Sequence, residues 1–573
     1  MGLLDWLERP DETRGVRLAA PGGGWRFRSY AGIAVTARRT AAFLRDGRVP
    51  AGTVVSLLLA DPMDFLAGFT GCLVAGLTPS PIATPLTFGG RAQYAEHVAG
   101  VLRAAGPSIV LADDELYGVA VQAAGAAGVG SAVARLPAPG DLPDPVEAVG
   151  RPEVALVQFT SGSMGDPKGV RVTWDNLDAN IAAVRRWTRW GADDSFASWL
   201  PLYHDMGLIG GLLTPLVSGA DLWLMTPDQF IRSPLRWLEC LGSLGATMTT
   251  APTFGYAYAH RRVRADDLAG MDFSGWRVAI CGAERVDAAE LAEFTALLAP
   301  RGFRAEALMP AYGLAEGTLG VTGAEPATAS PVVRLEDRAL VPGEPVRVAE
   351  TAALGTDRVR GAGWLAGCGG ALAGTRVRVL GEDGAPLPDG SLGEIEIAGS
   401  SLATGYATRE GDAGFDPSGL PTGDSGFLLD GHLYVVGRIG DSLKVRGRRV
   451  HAEDLEARLT RLDGIGPGRC AVVFGTHGTV DVAALVVESD GDGWAAEAVS
   501  RLRGATSGSV AIAVFTGSRG TIPRTSSGKT RRRRLWTSLL DGTSGAVLVR
   551  LLWAGEGGAE LPWTLALTQE AVR

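Results

Sequence analysis

The N-terminal part of the chain alternates short apolar runs with alanine-rich segments. Val54–Leu59 and Ser108–Leu111 have the composition of buried strands, whereas Ala34–Leu44 and Ala92–Ala104 have that of helices. Between about Trp25 and Ala134 this alternation predicts a doubly wound α/β unit.

The same alternation resumes after a linker and continues to about Gly320, which predicts a second doubly wound α/β half. The linker, Pro137–Glu153, is rich in proline, glycine and acidic residues. Further on, Gly393–Ile397 alternates with period two and predicts a small β-barrel-like piece. We expect these parts to form one large N-terminal domain, residues 1–437.

A smaller α/β domain is predicted for residues 438–573. Strand patterns at Ala471–Phe474 and Val480–Val487 alternate there with helical patterns at Ala452–Leu462 and Gly493–Leu502. Gly440 lies at the boundary, where a glycine permits large changes of φ and ψ. The fold class is therefore α/β, with a mobile C-terminal lid.

Composition narrows the possible partners and compartment. The 573 residues carry a formal net charge of −9, which argues against nucleic acid as a main partner. The five cysteines are scattered without a CxxC pair, so neither a disulfide framework nor a zinc site is indicated. The longest apolar stretch, Leu208–Met225, contains Pro215 and Asp221 and is excluded as a membrane span. Because the first residues also lack the positive start of a signal peptide, we expect a soluble cytoplasmic protein.

A glycine- and hydroxyl-rich segment within Val157–Thr173 predicts a phosphate-binding loop. It offers backbone N–H groups, hydroxyls and one ammonium to a polyanion. The donors are Thr160, Ser161, Gly162, Ser163, Gly165 and Lys168. The common P-loop is excluded, because Lys168 is followed by Gly169 and by a strand pattern instead of Ser or Thr and a helix. The alternative is an ordinary glycine-rich hairpin loop.

Two later strings have residues suited to a nucleotide. Gly282-Ala283-Glu284 follows a strand pattern, and Ala311-Tyr312-Gly313 precedes Glu316 by a few residues. Glycine lets the backbone approach a flat base, Tyr312 can stack on that base, and Glu316 offers a hard oxygen ligand for Mg²⁺. The alternative places Tyr312 in the core and makes Glu316 a carboxylate at a helix start.

Four polar residues at three places in the chain are further candidates. His204 and Asp205 lie between apolar segments and can form a hydrogen-bonded turn, and Asp424 follows a glycine turn and suits the hydroxyls of a ribose. Lys529 ends a run of small polar residues, from where its ammonium can reach another domain's cleft. A lone lysine of this kind is otherwise a solvated surface charge.

These strings resemble the motifs of the acyl-adenylate-forming enzymes. SGSMGDPKG looks like the signature loop of that superfamily, and VQFTSGSMGDPKGV with PLYHDMGL is most similar to fatty acyl-AMP ligases. YGLAE, TGD, GRIGD and the SGK ending at Lys529 match further motifs of the superfamily, in the same order.

The resemblance implies ATP and Mg²⁺ as cofactors and assigns a role to each candidate. The loop residues bind phosphates, residues 282–284 and 311–313 bind adenine, Asp424 and Arg438 bind ribose, and Glu316 binds Mg²⁺. Lys529 is the implied catalytic lysine, Glu316 acts with it through the metal, and His204 shapes the acyl and phosphate end of the pocket. The product is an acyl-adenylate.

The resemblance also implies a carboxylic acid substrate and an acyl carrier protein, whose phosphopantetheine thiol accepts the acyl group. CoA or an amine as acceptor remain alternatives, and so does a catalytically degenerate nucleotide-binding protein, because Met164 replaces the usual threonine of the loop. Thr253 to Ala257 and Trp174 also differ from the family pattern, which suggests a ring-bearing or hydroxylated acid.

The resemblance also implies an insertion, which distinguishes the fatty acyl-AMP ligases from the acyl-CoA synthetases. In this chain it is predicted as an irregular stretch between Thr322 and Gly370. The resemblance implies that it restrains the C-terminal domain, and the alternative is a surface loop without a role.

Overall fold

The computed structural model describes residues 2–47, 49–85, 90–160, 167–336, 340–445, 448–466, 468–477, 480–506, 510–525 and 529–552. Within these ranges the α-helices are α1 Tyr30–Asp46, α2 Pro62–Val74, α3 Arg91–Ala105, α4 Tyr117–Ala127, α5 Trp174–Trp187, α6 Thr214–Val217, α7 Pro227–Arg232, α8 Pro234–Gly242, α9 Thr253–Arg262, α10 Ala288–Leu298, α11 Ala452–Leu459, α12 Ala495–Ala505 and α13 Arg532–Leu540.

The strands are β1 Gly15–Ala19, β2 Trp25–Ser29, β3 Val54–Leu58, β4 Thr78–Pro81, β5 Ile109–Ala112, β6 Ala132–Arg135, β7 Val154–Thr160, β8 Lys168–Thr173, β9 Phe196–Ser198, β10 Leu222–Leu224, β11 Met248–Ala251, β12 Val278–Cys281, β13 Leu308–Gly313, β14 Gly320–Gly323, β15 Pro331–Leu335, β16 Val348–Ala353, β17 Trp364–Ala366, β18 Gly370–Ala371, β19 Thr375–Leu380, β20 Gly393–Gly399, β21 Gly405–Thr408, β22 Gly411–Gly414, β23 Leu420–Leu429, β24 His432–Arg438, β25 Ser442–Val445, β26 Arg448–His451, β27 Cys470–His477, β28 Val480–Glu488, β29 Ala511–Gly517 and β30 Val547–Leu552.

Two parallel sheets confirm the predicted pair of α/β halves. The first has the order β4-β3-β5-β6 and is parallel throughout. The second has a parallel centre of β1, β10, β9, β11, β12 and β13, extended by antiparallel edges. One apolar core runs from α1 and α2 through β3 and β7 to the segment Met206–Leu213. The two halves therefore share a core.

Local sequence determines where several helices start and end. The Asp61 side chain accepts hydrogen bonds from the backbone N–H groups of Met63 and Asp64 at the start of α2. Thr173 and Asn176 form a reciprocal capping box at the start of α5. Gly106 ends α3 in the left-handed region with φ of 55°.

The described residues between Thr322 and Gly370 include three paired strands, so the prediction of an irregular stretch is wrong. It contains the antiparallel sheet β16-β15-β17, in which Val333 pairs with Thr351 and Leu365. Val333 and Leu365 pack with Phe427 and Tyr434 of β23 and β24. The sequence patterns did not predict these strands, because each strand pairs with one that is separated from it by a long connecting segment.

The C-terminal lobe, residues 442–552, is a sheet with helices on both faces. Its strand order is β27-β28-β29-β30. Val472 and Leu485 face α11 and α12, whereas Val473 and Ala484 face α13. Alternation with period two thus lets one sheet bury both faces. No helix in the described ranges combines the length and apolar character needed to cross a bilayer.

Candidate active site

The predicted phosphate loop connects two antiparallel strands. Thr160 ends β7 and pairs with Lys168, the first residue of β8. This strand-loop-strand arrangement agrees with the exclusion of a P-loop. Ser161, Gly162, Ser163 and Gly165, together with Met164, lie outside the described residues.

Lys168 and Glu316 both contact Tyr406, a residue that the sequence analysis did not identify. Lys168 Nζ lies 5.2 Å from the centroid of the Tyr406 ring. The Tyr406 hydroxyl donates a 2.6 Å hydrogen bond to Glu316 Oε1. Burial raises the pKa of Tyr406, and the Glu316 carboxylate raises it further, so the phenol remains a donor. Tyr406 lies in the short strand β21 and belongs to no motif that could have identified it.

The predicted adenine segments follow neighbouring parallel strands. Gly282 to Glu284 leave β12, and Ala311 to Gly313 end β13. A Cβ on Gly282 would lie 3.0 Å from the Ala311 carbonyl oxygen, so a side chain there would crowd the second segment. Ala283 has φ of 65°, in the left-handed region. Parallel strands place their carboxyl ends at one edge of a sheet, which is where α/β folds bind ligands.

Glu284 has a structural partner that the sequence did not reveal. Its Oε1 accepts a 2.8 Å hydrogen bond from the Phe254 backbone N–H, near the start of α9. Desolvation by the surrounding protein raises the pKa of Glu284, although the Phe254 N–H and the Lys529 ammonium both act to lower it. Glu284 therefore caps a helix beside the cavity.

Asp424 is held by two residues that were predicted to bind the same nucleotide. The Tyr312 hydroxyl donates to Asp424 Oδ2 at 2.7 Å, and Arg438 Nε lies 3.0 Å from Asp424 Oδ1. Asp424 and Tyr312 are buried. The alternative of a core position for Tyr312 is thus correct for its burial, yet its ring also lines the cavity.

His204 and Asp205 form a close pair at the start of a π-helix, Met206–Leu213. His204 Nδ1 lies 2.6 Å from Asp205 Oδ1, and the same oxygen accepts from the Met206 N–H at 2.7 Å. Burial alone would raise the pKa of Asp205, but the His204 ring, the Met206 N–H and the Lys529 ammonium together lower it below its usual value. Asp205 is therefore a carboxylate that contacts the His204 ring and is stabilised by the Lys529 ammonium.

Lys529 belongs to the C-terminal lobe and reaches the groups of the N-terminal part. Its backbone is fixed by the Thr525 N–H, which donates to the Lys529 carbonyl at 2.7 Å, and by a 3.0 Å bond from the Lys529 N–H to Thr525 Oγ1. Lys529, Asp205 and Glu284 line the same cavity, and the ammonium acts to lower the pKa of both carboxyls. The structure brings Lys529 to the cavity that is also lined by the two segments predicted to bind adenine, residues 282–284 and 311–313.

Lysine is rare in this chain. Only three positions carry it, among 54 lysines and arginines: Lys168, Lys444 and Lys529. Two of the three are at the site. An ammonium is a compact point charge, whereas a guanidinium is planar and binds two oxygens at once. A lysine is therefore suited to contact a single phosphate oxygen.

One cavity of about 1130 Å³ joins these groups. Among the predicted residues its lining includes Thr160, His204, Gly282, Ala283, Glu284, Ala311, Tyr312, Gly313, Glu316, Asp424, Arg438 and Lys529. Lys168 lies next to the Tyr406 ring.

The cavity continues along the sheet into an apolar arm that the sequence did not reveal. The arm is lined by Val184, Trp187, Trp190, Phe196, Met248 and Leu319. Phe196 and Met248 are register partners at the amino ends of β9 and β11, whereas the nucleotide segments lie at the carboxyl ends. Trp190 stacks on Phe196 with ring centroids 5.9 Å apart. The cavity thus has one polar and one apolar part.

Fold and cavity together define an adenylating enzyme with a deep apolar subsite. The model of the AMP-binding enzyme family matches residues 7–407, and the chain belongs to that family. The sequence-based identification as an acyl-adenylate-forming ligase is thereby confirmed, as is the fold class.

Three relatives and one solved structure agree with this membership. A protein of Caulobacter vibrioides, provisionally described as an acyl-CoA synthetase, is 34% identical over 86% of this chain and 87% of its own. The long-chain-fatty-acid–AMP ligase FadD26 of Mycobacterium marinum is 32% identical over 84% and 86%. The medium-chain-fatty-acid–[acyl-carrier-protein] ligase JamA of Moorena producens is 29% identical over 88% of each chain. A structure from work on fatty acyl-adenylate ligases of E. coli and L. pneumophila has a TM-score of 0.84, with 28% identity over 94% of this chain and 98% of that one.

Proposed function

We propose that this enzyme activates a fatty acid with ATP and then passes the acyl group to the phosphopantetheine thiol of an acyl carrier protein. The observation that carries the proposal is the single cavity in which Lys529 and the nucleotide segments open onto the apolar arm. A carboxylate whose hydrocarbon chain occupies the arm would have its charged end near Lys529.

The proposed first step is an in-line displacement. A carboxylate oxygen of the acid forms a bond to the α-phosphorus of ATP, and the bond from that phosphorus to the bridging oxygen breaks, which releases pyrophosphate. Lys529 would neutralise charge shared by the carboxylate and the α-phosphate. Thr160 and the residues of the following loop would hold the β- and γ-phosphates.

The remaining residues would position the nucleoside. Asp424 and Arg438 would bind the ribose, and residues 282–284 and 311–313 would enclose the adenine, with the Tyr312 ring as one wall. The Tyr312 hydroxyl is already engaged by Asp424. This ring is therefore held in place before the base arrives, which reduces the entropy lost on binding.

The donor set fits Mg²⁺ as the metal. In the described residues no cluster of three His, Cys, Asp or Glu side chains forms a protein cage for an ion. Mg²⁺ does not need a cage, since it is usually bound by one or two carboxylates together with phosphate oxygens and water. Glu316 would hold it, steadied by Tyr406, and the ion would supply charge neutralisation at the phosphates.

The carrier protein is proposed as acceptor because JamA, which this chain resembles over most of its length, is a carrier-protein ligase. The Caulobacter relative favours CoA as the second candidate. Wild-type enzyme with ATP, dodecanoic acid and one of three acceptors would separate these: a phosphopantetheinylated carrier protein, CoA or a simple amine. Acyl transfer to the carrier protein alone supports the proposal, and acyl-CoA formation overturns this part of it.

Activation itself needs its own test, because Met164 leaves a degenerate protein as an alternative. Calorimetry with ATP and Mg²⁺, followed by pyrophosphate release over a series of carboxylic acids, distinguishes the two. Binding without turnover on every acid would favour the degenerate protein. A preference for ring-bearing or hydroxylated acids over plain ones would support the narrower substrate suggested by Trp174 and residues 253–257.

The domain organisation is also part of the proposal, with residues 1–437 as the N-terminal domain and 438–573 as the lid. The inserted sheet β16-β15-β17 is proposed to restrain this lid. Its support is a 3.0 Å hydrogen bond from the Arg449 N–H to the Leu340 carbonyl, which joins the inserted segment to the C-terminal lobe. The cytoplasm is the proposed compartment, since the reaction consumes ATP and the five cysteines are buried and unpaired.

A further inference from the structure

A largely buried ion pair joins the segment after β12 to the C-terminal lobe. Arg285 directly follows Glu284, and its guanidinium contacts the carboxylate of Asp454 through Nη1 and Oδ1. The two side chains are only 18% and 21% exposed. Burial acts to raise the pKa of Asp454, but the Arg285 guanidinium lowers it below the usual value, so the carboxyl stays ionised.

Asp454 lies in the first turn of α11. Other carboxylates in and near this helix bind a second arginine, Arg532. Arg532 Nη1 lies 3.0 Å from Glu453 Oε1, and Arg532 Nη2 lies 2.9 Å from Glu456 Oε2. Arg532 also lies 2.9 Å from Asp441, at the boundary between the N-terminal part and the lobe. These contacts fix the start of α13 against α11.

Arg532 comes three residues after Lys529. The intervening chain is short, and Thr525 holds the Lys529 backbone on the other side. A path of side-chain contacts therefore runs from Arg285 through Asp454 and α11 to Arg532, and the backbone of residues 529–532 continues it to Lys529. A displacement of α11 would move the ammonium relative to Asp205 and Glu284.

Resting on the function proposed above, we infer that Arg285, Asp454 and Arg532 are positioning residues for Lys529. The Arg285–Asp454 pair sets where α11 docks, and Arg532 transmits this placement to the lysine. A buried ion pair gives little net stability compared with apolar residues of the same size, but its geometry specifies a single docking arrangement. A displacement of about 1 Å at a reacting group can cost roughly 100-fold in rate.

The test is a double-mutant cycle between Asp454→Asn and Lys529→Ala, read as ATP–pyrophosphate exchange with dodecanoic acid. In the wild-type background we expect Asp454→Asn to lower kcat by about 10- to 100-fold with less than about a 3-fold change in KM for ATP. In the Lys529→Ala background we expect the same substitution to change the residual rate by less than about 2-fold. An effect of equal size in both backgrounds would show a general structural role and overturn the inference.

A control variant and a substitute variant allow the effect of Asp454→Asn to be interpreted. Glu497→Gln breaks an exposed ion pair with Arg501 in the same lobe, and we expect it to leave exchange unchanged. If Asp454→Asn does not fold, Arg285→Lys retains the charge but loses the planar fork, and it enters the same cycle. Exchange by Asp454→Asn within 2-fold of the wild type would also overturn the inference. Absence of exchange in the wild type with every acid offered would instead refute the proposed function.

Discussion

The hydroxyl of Tyr406 donates to Glu316 while the ring of Tyr406 faces the ammonium of Lys168. One side chain thus contacts both the predicted metal ligand and the lysine of the phosphate loop. Its removal should affect the phosphate end of the cavity without touching the apolar arm.

Tyr406→Phe keeps the ring and loses the hydrogen bond. Hydrogen bonds to charged groups contribute about 1.5 to 3 kcal/mol, so we expect kcat/KM for ATP to fall about 10- to 100-fold. The KM for the fatty acid should stay near the wild-type value. Steady-state pyrophosphate release checks both constants. Tyr30→Phe loses a buried hydroxyl outside the cavity and is the control, and an equal effect of the two variants on kcat/KM would contradict the role of Tyr406.

Lys529→Ala should lower adenylation by roughly 10²- to 10³-fold, the cost of losing one transition-state donor. The nucleotide segments remain, so ATP binding measured by calorimetry should weaken much less. Lys444 lies in an exposed ion pair with Glu382, away from the cavity, and Lys444→Ala is the matched control. Unchanged pyrophosphate exchange in Lys529→Ala would remove this residue from the mechanism.

Trp190→Ala should shift the preferred acid towards longer chains. The indole stacks on Phe196 in the apolar arm, and its removal opens space there. Each further methylene that is buried gains about 0.8 kcal/mol, or roughly 4-fold in kcat/KM. A series of saturated acids from eight to about eighteen carbons measures the shift. Trp25 is packed against Arg236 outside the cavity, so Trp25→Ala should leave the chain-length profile as it is.

Glu453 predicts a pH dependence of stability. Burial raises its pKa to about 7, while Arg532 acts in the opposite direction and Glu456 and Asp441 add to the rise. The folded protein thus binds a proton that the unfolded chain releases near pH 4.5, so this contribution is complete at lower pH and is lost as the pH rises through 7.

Comparing the wild type with Glu453→Gln isolates that contribution. Between pH 5 and 8 we expect the wild type to lose unfolding free energy relative to the variant as the pH rises. Denaturant unfolding at each pH measures the difference, which also cancels the opposing titration of His451, whose pKa is lowered to about 4 by burial. A difference that grows with falling pH in favour of the variant would contradict the assignment.

Sequence patterns predicted the regular elements well where apolar periodicity is strong. The predicted helix Ala92–Ala104 is α3, Arg91–Ala105, and the predicted strand Val480–Val487 is β28, Val480–Glu488. The inserted sheet was missed because the pairing of Val333 with Thr351 depends on contacts across long turns. Local composition contains little of that information.

The residues of the site likewise divide into those that local sequence identifies and those that depend on long-range contacts. Asp424 and Lys529 stood out because each follows a glycine turn or a small polar string, and Tyr312 because it is followed by Gly313 and, four residues on, by Glu316. Tyr406 and Arg285 act through partners 90 and 169 residues away in the chain, and neither belongs to a recognisable string. Long-range side-chain pairs of this kind become visible only once the fold is known.

The last described strand has a practical consequence for anyone who shortens this chain. Strand β30 covers the edge of β29, where Val514 pairs with Arg550 and Thr516 with Val547. Ending the chain before Val547 would expose a row of unpaired backbone N–H and C=O groups on β29, beside the apolar side chain of Phe515. Exposed strand edges of this kind pair with strands of other molecules. Such truncations should therefore self-associate, even though they retain every residue assigned to the chemistry.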